Sequence, residues 1–137
     1  MTQFEIKDGV AIIPEGTTEI PFRAFINCED LTTVVIPDSV TCIVNGAFFG
    51  CSSLTEIVIP NSVTSIGAGA FSHCSSLKNI VIPNSVTQIG YNAFGFCTSL
   101  TNIVIPNGVT SIGDNAFCCS PRRKLVIRNI QKLVTEK

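Results

Sequence analysis

The apolar positions of this chain return every 23 residues. Pro14, Pro37, Pro60, Pro83 and Pro106 keep that step, as do Ile20, Ile43, Ile66, Ile89 and Ile112. Ala24, Ala47, Ala70, Ala93 and Ala116 share it, each followed by a phenylalanine (Phe25, Phe48, Phe71, Phe94, Phe117). Cys28, Cys51, Cys74 and Cys97 follow it too, with Leu31, Leu54, Leu77 and Leu100. A period of roughly 20–50 residues is the signature of stacked repeats. One unit reads Cys-x-x-Leu-x-x-Ile-Val-Ile-Pro-Asn-Ser-Val-Thr-x-Ile-Gly-x-x-Ala-Phe.

The spacing inside a unit predicts its elements. Leu-x-x-Ile-x-Ile alternates apolar and variable positions, is rich in β-branched residues and stops at a proline that cannot donate to a ladder; it predicts a short strand. Pro-Asn-Ser supplies turn chemistry. Val-Thr-x-Ile predicts a second extended piece, and Gly67, Gly90 and Gly113 then mark a corner expected to need positive φ. The x-x-Ala-Phe-x-x-Cys portion predicts a short helical or 3₁₀ turn.

A unit this small cannot bury its own apolar face, but stacked on its neighbours at about 4.8 Å it can. The predicted fold is an α/β repeat solenoid, with a parallel β-sheet on one face, short helical or 3₁₀ turns on the other, and ladders of Ile, Leu, Val and Phe inside. Residues 1–137 are read as a single domain, with about five coils over 8–117 and a C-terminal cap with a short helix over 118–137. The ends lose the pattern, as terminal repeats do. Asp8, Thr17 and Pro21 stand in place of Leu, Val and Gly, and Ser120 and Arg123 in place of Cys and Leu. In the tail, Ile130, Leu133 and Val134 have amphipathic-helix spacing. That stripe either covers the last coil or docks on a second subunit.

The repeated unit resembles the BspA-like (Treponema-type) leucine-rich repeat, over about residues 10–117. The resemblance implies a right-handed leucine-rich-repeat coil and a binding scaffold rather than a reaction. Similar proteins are bacterial and protozoan surface or secreted proteins that bind host or bacterial partners, mostly as long arrays. This chain departs from them in its shortness, its lack of an export signal and its own C-terminal tail.

Hydrophobic residues make up 45% of the chain and charged ones 14%, yet polar residues and prolines interrupt every apolar run. None approaches the roughly 18 residues of a membrane span. The opening residues lack a signal-peptide layout, so the expected location is cytoplasmic, while the resemblance also allows the cell surface or secretion. The net charge is -1, but eight of ten acidic residues fall within the first 56 positions and six of nine basic ones within the last 16.

Strand alternation defines the candidate site. With Ile57 and Ile59 pointing inward, Val58 points outward, and so do Val35, Val81 and Val104, with Ile12 and Ile127 extending the row. The next outward column holds Thr33, Glu56, Asn79 and Asn102. A continuous apolar stripe on a surface marks a contact face. The competing reading is that parallel ladders simply favour valine. The phenylalanine ladder is expected to be core.

Of seven cysteines, Cys28, Cys51, Cys74 and Cys97 stand one per coil and read as small buried apolar residues whose parallel side chains do not pair, and the odd count favours a reducing compartment. Cys118 and Cys119 are vicinal, a poor chelating geometry, and a zinc site at His73 and Cys74 would need ligands from other coils. No metal or cofactor is expected. A single histidine, with no phosphate loop and no paired carboxylates, gives no catalytic constellation, so the chain is read as not an enzyme. Arg122, Arg123, Lys124, Arg128 and Lys132 form a basic tail without aromatics, which speaks against nucleic-acid binding. No membrane partner is expected. The expected function is recognition of a protein partner through the sheet face. Two alternatives stay open. One is a self-assembling structural or surface repeat protein, associating through its ends or C-terminal helix. The other is a small intracellular or phage-borne inhibitor.

Overall fold

The computed structural model describes residues 4–119 and stacks the repeats as a β-solenoid. Its strands are β1 (Ile6–Lys7), β2 (Val10–Ile12), β3 (Glu19–Ile20), β4 (Thr33–Val35), β5 (Cys42–Ile43), β6 (Ser65–Ile66), β7 (Asn79–Val81), β8 (Gln88–Ile89), β9 (Asn102–Val104) and β10 (Ser111–Ile112). The second extended piece of each unit builds the continuous sheet, five parallel strands in the order β10-β8-β6-β5-β3. Its register is the repeat itself: Ile20 pairs with Ile43, Ile43 with Ile66, Ile66 with Ile89 and Ile89 with Ile112.

The Leu-x-x-Ile-x-Ile segments form the front of the solenoid. Here β2 pairs with β4 and β7 with β9, all parallel. The third coil joins them through a bridge between Glu56 and Asn79, so the sheet on this side is divided. The backbone contacts at this point are long, 3.4 Å from the Thr55 amide to the Thr32 carbonyl and 3.3 Å from Lys78 to Thr55.

The third side corrects the expectation of helical or 3₁₀ turns: the described residues contain no helix. Two residues of each coil sit in the left-handed region instead, at Arg23, Gly46, Gly69, Asn92 and Asn115 and at Asn27, Gly50, His73, Phe96 and Cys119. A left-handed residue reverses the peptide plane, so successive amides cannot all point along one helix axis. They alternate. The Arg23, Phe25 and Asn27 amides donate forward to the carbonyls of Asn45, Ala47 and Phe49 in the next coil, at 3.1, 2.7 and 2.7 Å. The Ala24, Ile26 and Cys28 amides donate back three residues within their own coil, to Pro21, Arg23 and Phe25. The forward bond from phenylalanine recurs at Phe48, Phe71 and Phe94.

The glycine corner is also corrected. Gly67, Gly90 and Gly113 do not have positive φ. They are required by close approach. A Cβ on Gly90 would lie 2.5 Å from the Ala68 nitrogen and 2.7 Å from the Gly67 carbonyl carbon, both backbone atoms of the preceding coil.

At the N-terminal side, β1 turns back antiparallel onto β2, with Lys7 opposite Val10. Asp8 and Gly9 both have positive φ, as a two-residue hairpin turn requires. Asp8, read from sequence as a worn repeat position, is therefore the tip of a hairpin.

The core is one cluster of inward side chains from every coil. Its axis is the aromatic ladder Phe4–Phe25–Phe48–Phe71–Phe94–Phe117, whose consecutive rings stack with centroids 5.2–5.6 Å apart. Phe25, Phe48, Phe71 and Phe94 are wholly buried, as the alanine-phenylalanine repeat predicts. The expected tail helix at Ile130, Leu133 and Val134, the basic residues Arg122, Arg123, Lys124, Arg128 and Lys132, and Ile127 lie outside the described residues.

Candidate functional site

On the front, side chains alternate between core and solvent along the third coil. Ile57 and Ile59 are 6% and 5% exposed, whereas Val58 between them is 79% exposed. The outward row is Ile12, Val35, Val58 and Val81, every one an exposed aliphatic. Ile12 pairs directly with Val35, and Val81 with Val104, which is half-buried. The adjoining column follows the same ladder: Val10 opposite Thr33, Glu56 bridged to Asn79, and Asn79 opposite Asn102. Glu56 and Asn79 are exposed and Thr33 half-buried. The result is an aliphatic ridge with a polar border.

The cysteine column faces inward. Cys51, Cys74 and Cys97 are buried free thiols, and each Sγ donates to a phenylalanine carbonyl of the preceding coil, at 3.1, 3.2 and 3.1 Å. Burial, the largest cause, pushes the Cys51 and Cys97 thiols up to about 12, and Cys74 upward as well, so they remain protonated and unreactive as nucleophiles. His73, next to Cys74 in sequence, is exposed on the turn side, whereas the Cys74 thiol is buried. Among the described residues no three His, Cys, Asp or Glu side chains gather as a metal cluster, and no helix is long and apolar enough to cross a membrane.

The turn side holds a feature that the repeat pattern did not reveal. Phe22, Tyr91 and Phe96 are exposed, and the His73 ring lies 5.0 Å from Phe49 and 4.6 Å from Phe96. The Ser72 hydroxyl joins the His73 Nδ1 at 2.9 Å and accepts from the Asn92 Nδ2 at 3.1 Å. These residues occupy unit positions that vary from coil to coil, so periodicity treats them as filler. The signal available was aromatic residues at positions where other coils place glycine, alanine or asparagine.

The geometry defines a class: a repeat solenoid whose interior is spent on stacking and whose distinctive chemistry lies on its outer faces. The chain matches the BspA type leucine rich repeat region in six copies over residues 2–136, and it belongs to that family. Its backbone resembles the leucine-rich repeat protein of Treponema pallidum, TM-score 0.77 at 34% identity over 86% of this chain and 64% of that one. A leucine-rich repeat protein of Bacteroides ovatus gives TM-score 0.78 at 38% identity, over 86% of this chain and 32% of that one. A leucine rich cell surface protein of Faecalibacterium prausnitzii gives 0.52 at 28% identity, over 84% of this chain and 46% of that one. The chain thus spans less than two thirds of the length of these relatives. No curated protein sequence matches it significantly. Proteins of this family are in general non-catalytic repeat modules that mediate protein interactions or stand at cell surfaces.

Proposed function

We propose that this chain is a non-catalytic recognition module that holds a protein partner on its front face. The observation that carries the reading is the exposed row Ile12, Val35, Val58 and Val81, bordered by Thr33, Glu56 and Asn79. A flat ladder of exposed aliphatics at one level costs water contact along its whole length, and covering it returns about 25 cal/mol per Å² of apolar surface. Polar side chains beside the ridge supply the rim that protein interfaces place around an apolar centre. Val104 and Asn102 continue the two columns into the last front strand. Membership of the family supports the reading, and the surface location named for the Faecalibacterium protein makes an exported setting compatible with it.

The test is a double substitution, Val58→Asp with Val81→Asp, in affinity capture from the native host. Both side chains point to solvent, so the thermal midpoint should stay within a few degrees while the partner is lost. Retention of the captured protein at wild-type level would reject the front face.

A further inference from the structure

We infer that the turn side carries a second, independent docking site, a recess that takes an apolar side chain of an extended acidic peptide. The recess has a volume of about 300 Å³. It arises from one column of the repeat. Phe22 and Tyr91 occupy the same unit position three coils apart, and between them the column drops to Asn45 and Ala68. The next column drops from Arg23 to Gly46 and Gly69 and rises again at Asn92. Two aromatic walls thus stand about 14 Å apart, by strand spacing, over a floor lowered by Gly46, Ala68 and Gly69. Phe49 packs along that floor, 3.7 Å from where a Gly69 Cβ would be.

The chain maintains this display against a local cost. Gly46, Gly69, Asn92 and Asn115 fill the left-handed slot with the residues that tolerate it, but the same slot at the recess wall is an arginine, with φ of 55°. An ordinary side chain there costs about 1 kcal/mol relative to the right-handed form. The arginine stem runs over Gly46, its Cγ 3.3 Å from the place of a Cβ, and its guanidinium lies 5.0 Å from the Phe22 ring centre. Among the described residues Arg23 forms no ion pair, and no carboxylate lines the recess. Asn45 uses its Oδ1 to accept from the Ala68 amide at 2.9 Å, which leaves its NH₂ group to donate.

Those groups define the occupant. Tyr91 and Asn92 at the rim can donate or accept, while Arg23 carries the one charge among the lining residues and the Asn45 NH₂ group adds a donor, so the occupant that complements the rim brings carboxylate. The floor and walls are aromatic and aliphatic, so it also brings an apolar side chain of phenylalanine or leucine size. The site is on a different side of the coil from the aliphatic ridge and does not depend on it.

The experiment uses the full chain and a fluorescein-labelled hexapeptide with one phenylalanine between two glutamates, read by fluorescence anisotropy. Saturable binding is expected. Arg23→Gln, or glutamine in place of the two glutamates, should each weaken it about fivefold, the worth of one solvent-exposed ion pair. Ala68→Tyr fills the recess and should abolish binding. Phe22 and Tyr91 already occupy that column, so the fold accepts an aromatic there and the thermal midpoint should hold. Val58→Asp should leave the affinity unchanged, which separates this site from the front face. Undiminished binding in a folded Ala68→Tyr protein, equal affinity for a lysine-flanked peptide, no binding at all, or recess-dependent binding of neutral oligosaccharides instead would each overturn the proposal.

Discussion

The Sγ of Cys74 lies 3.2 Å from the carbonyl oxygen of Phe48 in the preceding coil, closing the inner edge of the turn between them. The same bond joins Cys51 to Phe25 and Cys97 to Phe71. Protonation of these thiols is thus part of the fold. An unfolded cysteine has a value of 9.0, whereas Cys51 and Cys97 are raised to about 12. Each contributes stability that is fully present below about pH 8 and is lost as pH rises from 9 towards 12. Urea unfolding midpoints should be flat between pH 6 and 8, then fall. At pH 10 each buried thiol should account for about 1.4 kcal/mol of the loss. In the native protein, Cys51, Cys74 and Cys97 should resist a thiol reagent that labels the exposed Cys119.

Two glycines in one coil-to-coil junction should respond oppositely to substitution. Gly69 is there for its φ of 65°, the slot that Asn92 fills one coil later. Gly69→Asn should change stability by no more than about 0.5 kcal/mol. Gly90 is there because backbone of the neighbouring coil leaves no room for a Cβ. Gly90→Ala should cost about 2 kcal/mol or more, since neither Ala68 nor Gly67 can withdraw without parting the coils. Chemical denaturation of the two variants is the measurement.

The serines that follow Pro37-Asp38, Pro60-Asn61 and Pro83-Asn84 are uneven in their bonding. Ser39 accepts from the Gly16 amide at 3.1 Å and donates to the Thr17 carbonyl at 2.7 Å. The hydroxyls of Ser62 and Ser85 are shut from solvent with no hydrogen-bond partner among the described residues. Ser39→Ala should therefore destabilise by about 1 kcal/mol, while Ser62→Ala and Ser85→Ala should be neutral or stabilising by up to that amount. Thermal midpoints of the three single variants would separate the cases.

Much of the architecture could be read before any coordinates, because invariant spacing reports shared burial. The Ala-Phe pair at every turn foretold the ring ladder, and the alternation Ile57-Val58-Ile59 foretold which side chains face water. The helical turn was misread because alanine favours a helix, whereas Gly46, Gly69, Asn92 and Asn115 just before it are the residues that favour a left-handed backbone. Asp8-Gly9 between apolar neighbours is a hairpin signal that the search for a missing leucine obscured. The recess was illegible for a different reason. It depends on what differs between coils, and a consensus removes differences.

The forward bonds of the turn side limit how this molecule can change length. The amide of Phe25 finds its acceptor 22 residues on, at Ala47, and Phe48, Phe71 and Phe94 do likewise. Excision or duplication of one entire unit hands every donor an equivalent oxygen. Any other insertion inside a coil misaligns the clasps that span it. Growth of such a chain is quantised, and a gene encoding it can gain or lose whole turns far more readily than single codons.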